Sequence, residues 1–266
     1  MADAFPPPEE WDAAAADRFR DECFEPGLRR IFRSVVDDRI PTDERPPHSA
    51  LLFGPEFGPF ASDREFASDF YNDIHHQGIS NAYTAQAVPM VAALASDERV
   101  PADERASLTT LLFHIAAETD RLTADCWPRQ HPQTDPAAAA RARAAVRRTL
   151  PELAARWDTA SLDVRLALAA LCASFPKEPA SLPLLERTGA LAEDLHDSRP
   201  LSGFLRFALL TGTAPEEALH TWVDELTSSY WRTTPRELPA RQRAVHLLDQ
   251  MLAWLRWKVL PNLAEA

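Results

Sequence analysis

The sequence predicts an all-α protein, an α-solenoid of stacked antiparallel helix pairs. Three observations point there: a composition poor in glycine and rich in proline, apolar residues recurring at helical spacing behind capping signals, and an internal echo of one segment by another. The chain has 7 glycines against 23 prolines in 266 residues. Strand-rich folds draw on glycine for tight turns and bulges, so its scarcity favours helices, with proline marking their joints. Hydrophobic residues make up 45% and charged residues 26%, the composition of a chain that buries a core.

The first unit, residues 1–61, reads as an N-terminal helical arm followed by a long irregular loop. From Asp38 to Ala61 prolines and glycines alternate with short apolar pieces, and the loop is expected to pack its own Phe53, Phe57 and Phe60. Residues 62–266 form the helical-repeat domain, continuous with the arm as one structural unit. Ser62-Asp63-Arg64-Glu65 is a capping box, in which hydroxyl and carboxylate satisfy free backbone N–H groups. Phe66, Phe70 and Ile74 follow at spacing four, and Gly78 is placed as the C-cap. A second helix spans 81–96, with Pro89 predicting a kink or break. A third covers 104–120, with Leu108, Leu111, Leu112 and Ile115 on one stripe.

The pattern then recurs. AVPMVAALA (87–95) is echoed by TLPELAARW (149–157), Pro89 matching Pro151. Helices follow at 162–174, 182–196 and 200–211. Thr213-Ala214-Pro215-Glu216 reads as another capping box, ahead of a helix expected to bury Leu219, Trp222, Val223, Leu226 and Tyr230. Thr234-Pro235-Arg236-Glu237 is placed as the cap of a final helix carrying Val245, Leu248, Leu252, Leu255 and Val259. Short helices with short joints and an internal echo indicate stacked repeats rather than a long-helix bundle.

The stretch HHQGISNAYTAQAVPMVAALA (75–95) resembles the His-Gln-Gly … Tyr … Ala … Val-Pro segment of HEAT-like helical-repeat proteins of high-GC bacteria. His76, Gln77, Gly78, Tyr83, Ala87, Val88 and Pro89 carry the likeness; Ile-Ser-Asn-Ala departs from it where a shorter link is usual. The resemblance implies a superhelical array presenting its concave face to a protein or peptide, in the manner of an immunity or accessory protein. It brings no assigned chemistry with it, and it adds Gln77 and Tyr83 to the candidate binding residues.

The residues that could carry chemistry fall on two helices. Asp69, Asp73 and His76 share one stripe at i, i+4, i+7, and His114, Glu118 and Arg121 repeat those offsets. If the helices are neighbours, Asp73, His76, His114 and Glu118 would be the candidate ligands of a Zn, Fe or Mn ion, or an acid–base pair. The plainer reading makes these residues the polar rim of amphipathic helices, with His75 and His76 favoured by the dipole of a last helical turn. Two Glu-x-x-His motifs, Glu193–His196 and Glu217–His220, match the spacing of di-iron bundles, although short proline-bounded helices suit such a site poorly. Phosphate-loop, dinucleotide-binding, nucleophile-elbow and His-Glu-x-x-His patterns are absent, so no catalytic residue and no cofactor are assigned.

A formal net charge of −12 disfavours nucleic acid and suits a basic protein partner. The Arg141–Arg148 run is diluted by alanine and valine. Cys23, Cys126 and Cys172 lie too far apart for a disulfide framework or a metal knuckle, and each is expected to pack as a small apolar residue. The N-terminus has no basic-then-apolar leader and no segment reaches a membrane-spanning length, which predicts a cytoplasmic protein without membrane contact. Trp222, Trp231, Trp254 and Trp257 crowd the C-terminal region. They form either a Trp-rich core between the last helices or, at Trp257, a half-exposed anchor for a partner.

Overall fold

The computed structural model describes residues 74–75, 78–81, 84–98, 100, 102–129, 131, 134–226, 231 and 234–264. The arm and loop of 1–61, the Ser62 capping box and the candidates Asp69, Asp73, His76, Gln77 and Tyr83 lie outside them. The only regular structure among the described residues is helical, with no strand among them. In chain order the helices are α1 (Thr84–Ser96), α2 (Ala102–Cys126), α3 (Pro136–Ala155), α4 (Leu162–Ala173), α5 (Ser181–Asp194), α6 (Arg199–Thr213), α7 (Glu216–Leu226) and α8 (Ala240–Trp254). After α8 the chain widens into a π turn, Leu255–Val259, and ends in the short α9, Leu260–Ala264. No helix among the described residues is long and apolar enough to cross a membrane.

The local signals act as physical chemistry requires, with two exceptions. Asn81 and Thr84 exchange side chain-to-backbone bonds at the start of α1: Thr84 N–H donates to Asn81 Oδ1 and Asn81 N–H to Thr84 Oγ1. Pro89 sits inside α1 without ending it, on the exposed side, and Pro151 stands likewise in α3. Asp135 caps α3 by accepting from Ala137 N and Ala138 N, with Pro136 at the first helical position. The Thr213–Glu216 box does not form. Thr213 closes α6, its hydroxyl donating back to Leu209 O, while the Glu216 carboxylate accepts from Ala240 N at the start of α8. Thr234 likewise serves another end, accepting from Arg243 Nε.

Packing is built on α4. Every residue from Leu166 to Ala173 is buried, as expected of a helix that is apolar all round. Complete burial of Leu166, Leu168 and Leu171 stabilises the fold by about 1.5–3 kcal/mol each. α1 lies on α3 and α2 on α4. The even-numbered helices then close a cycle: α2 on α4, α4 on α6, α6 on α8, and α8 back on α2, with α4 and α8 also touching. In an open repeat array each unit meets only its neighbours. Here the last helix meets α2, more than a hundred residues earlier, because both carry apolar stripes that need a common cover: Leu108, Leu111, Leu112 and Ile115 on α2, and Val245, Leu248, Leu252 and Leu255 running through α8 into the π turn.

The candidate site: a polar stripe on α2 and an exposed tryptophan surface

His114, Glu118 and Arg121 follow one another at i, i+4 and i+7 along α2, and each has a partner. His114 and Arg121, two turns apart, bracket a single carboxylate of α8: His114 Nε2 lies 2.9 Å from Asp249 Oδ1, and Arg121 Nε donates to Asp249 Oδ2 at 2.8 Å. Burial alone would raise the Asp249 carboxyl, but hydrogen bonding and charge from His114 and Arg121 outweigh it. They hold Asp249 well below the usual carboxylate range.

Glu118 turns the other way and is 1% exposed. Its Oε2 accepts from Ser80 N–H at 2.9 Å and from the Ser80 hydroxyl, and lies 3.2 Å from His75 Nε2. Burial pulls the pKa of His75 below its ordinary value. The hydrogen bond and charge of Glu118 oppose this, while His114 and Arg121 add to it. The ring is therefore neutral at neutral pH and donates from Nε2. The described residues around His75 and Ser80 are held for this approach by local bonds. Gly78 takes φ +82, Gly78 N–H donates to His75 O, and the Thr84 hydroxyl donates to Ile74 O at 2.6 Å. Glu118 Oε1 has no hydrogen-bond partner among the described residues. Glu118 also borders a cavity of about 300 Å³ with Leu122, Thr123, Trp127 and Ala139.

The stripe thus fastens α8, His75 and Ser80 onto α2. Among the described residues no three His, Cys, Asp or Glu side chains are grouped to hold a metal ion. The two Glu-x-x-His motifs stay apart: His196 lies exposed at the end of α5, its Nδ1 2.9 Å from Glu193 O, whereas His220 Nδ1 lies 2.9 Å from Arg243 Nη1. Arg243 itself is buried and also donates to Asp224 Oδ1, which it holds below the usual carboxylate range. Cys172 is buried, its thiol pushed up to about 12 by burial, and so stays a protonated packing group. Sequence reasoning named His114, Glu118 and Arg121 but missed Ser80 and Asp249. Asp249 had a visible signal: it is the acid set directly beside the buried Leu248 and Leu252 on the final helix.

The tryptophans divide between the two readings. Trp257, in the π turn, is 77% exposed, and Lys258 Nζ lies 4.3 Å from the centre of its ring. Trp222 on α7 is 42% exposed, where the sequence predicted burial. Trp254 is 38% exposed and meets Trp231 edge-on, with ring centres 6.0 Å apart and planes at 89°. Of these four, only Trp231 packs against the core cluster, which already contains the buried Trp157. The reason is helical phase: Leu219 and Val223 take the inner side of α7, and Leu252 and Leu255 the inner side of the last helix, leaving the indoles outside.

Compared with known proteins, the chain matches no family model, no curated protein and no solved structure.

Proposed function

We propose that the protein is a helical scaffold of the HEAT-like kind, acting in the cytoplasm, which binds a protein partner through its C-terminal aromatic surface. The observation that carries this reading is Trp257, a large apolar ring standing 77% exposed beside Trp254. Tryptophan is the residue most enriched at binding hot spots, and fully covering one removes about 150–250 Å² from water. Stacking of α1 on α3 and α2 on α4 supports the paired-repeat architecture. Because α8 closes over α2 and α4, the inner helices face one another, which moves the contact from a concave groove to the outer surface. Around Trp222, α7 exposes Glu217 and Glu225, a border that favours a basic partner. A toxin-like basic protein held by an immunity or accessory protein is the concrete form of this reading.

The alternative, a small-molecule or metal-dependent site on the acid/His stripe, has less support, since His114 and Arg121 are both engaged by Asp249. Cross-linking mass spectrometry on the protein isolated from its native cell at low salt tests the proposal. A stoichiometric partner should cross-link at Lys258 and be lost with Trp257→Ala, while melting stays unchanged. Recovery of the protein without any stoichiometric protein partner would sink it.

A further inference from the structure

The Arg141–Arg148 run is too dilute to suit nucleic acid as a sequence, yet folding concentrates part of it. Arg143 and Arg147 are one helical turn apart on α3 and share a face. Ala140 and Ala144 beside them leave room. Opposite stand the α4–α5 connection, residues 174–178, and Arg241 from the first turn of α8. Together they line a cavity of about 500 Å³ whose wall carries Arg143, Arg147, Lys177 and Arg241 against Glu178 alone. In a chain of net charge −12, four cationic side chains facing one carboxylate is a local inversion.

The hydrogen bonds that hold the two inner guanidiniums in place come from backbone carbonyls. Arg143 Nη1 donates to Ala116 O and Nη2 to Ser174 O at 2.7 Å, and the guanidinium lies over the Phe175 ring, 4.6 Å from its centre. Arg241 Nη1 donates to Thr211 O. The carboxylate that acts on both is Asp120, 3.8 Å from Arg143 Nη1. Burial pulls Arg143 below its ordinary value; Asp120 opposes that, and the charge of Arg241 adds to it. Two partly buried cations thus share Asp120, and Arg241 also feels the charge of Glu216. At the rim Arg147 Nε is 3.8 Å from Glu178 Oε1, a loose pair, and Lys177 is exposed with no ion pair among the described residues.

We propose that this cavity binds a multiply charged phosphate group. A fixed guanidinium fork matches phosphate oxygens in pairs, and the excess of cations favours more than one negative charge. The phosphate can come from a free phosphorylated compound or from a phosphorylated side chain of a partner. The site lies apart from the tryptophan surface and does not depend on the proposed partner.

Isothermal titration calorimetry with pyrophosphate, near neutral pH and about 0.15 M salt so that exposed charges are screened, tests it. The wild type should bind one pyrophosphate per chain. The Arg147→Ala, Lys177→Ala double variant, altered only at exposed positions, should melt as the wild type does. It should bind at least about tenfold more weakly, through loss of two charge-assisted contacts. A phosphoserine peptide that competes more strongly than pyrophosphate identifies a partner's phosphate as the source; a peptide that fails to compete identifies a free compound. No saturable heat with the wild type, or unchanged affinity in the double variant, overturns the proposal.

Discussion

Asp249 is the carboxylate through which α2 holds α8, and its two partners make the hold dependent on pH. Its folded pKa is depressed, so its contribution is present above the unfolded value of about 3.9 and is lost as pH falls from there towards the lower folded value. His75 acts earlier on the same side. Its folded pKa is also lowered, so below about 6.5 the unfolded chain takes up the proton first and stability declines. Thermal melts from pH 8 downward should therefore be level to about 6.5 and then fall. His75→Asn should remove that first decline, and Asp249→Asn the further one below about pH 4. Glu118→Ala strips the acceptor from Ser80 and His75 and should cost about 1–3 kcal/mol in chemical denaturation. At this scale the sequence showed which α2 residues share a face, since spacing alone decides that. It could not show their partners, because Asp249 stands 128 positions beyond Arg121 and only tertiary packing joins them.

The helices most visible beforehand are those whose apolar residues leave no choice of face. α4, predicted at 162–174, forms at Leu162–Ala173, and α5 and α6 lie within two residues of their expected bounds. Leu168→Ala, at the centre of α4, should cost about 2–5 kcal/mol and lower the melting temperature without changing the fold's helical signature. The α5–α6 contact is close enough to be read from one glycine. A Cβ at Gly212 would collide with the Leu185 side chain, so Gly212→Ala should destabilise by about 1–3 kcal/mol, measurable as a shifted denaturation midpoint. The first half of α3 escaped notice because its alanines make no stripe and its cap, Asp135, follows an irregular stretch. The Thr213–Glu216 pattern misled for a related reason: a capping box is two short side chains, and a neighbouring helix can claim either one.

For the molecule as a whole, the closure by α8 decides how it comes apart. An open array tolerates loss of its last unit, because only one neighbour is uncovered. Removing residues 240–266 would uncover α2, α4 and α6 together. The shortened chain should therefore lose its cooperative melt, followed by circular dichroism, rather than only the share of helix deleted. A truncated protein that keeps its remaining helix and melts at the original temperature would refute cyclic packing. Local spacing foretold the helices, since each apolar stripe is written within a few turns of chain; the return of α8 depends on two distant stripes finding each other. The edge-on Trp231 and Trp254 pair spans this same closure, one ring ahead of α8 and the other at its end. Indoles held at that distance and angle couple their excited states, so the protein carries an optical reporter of its own seal. If α8 peels away first, this exciton band will fade before the helical bands do; if the cycle opens as a unit, the two will vanish together.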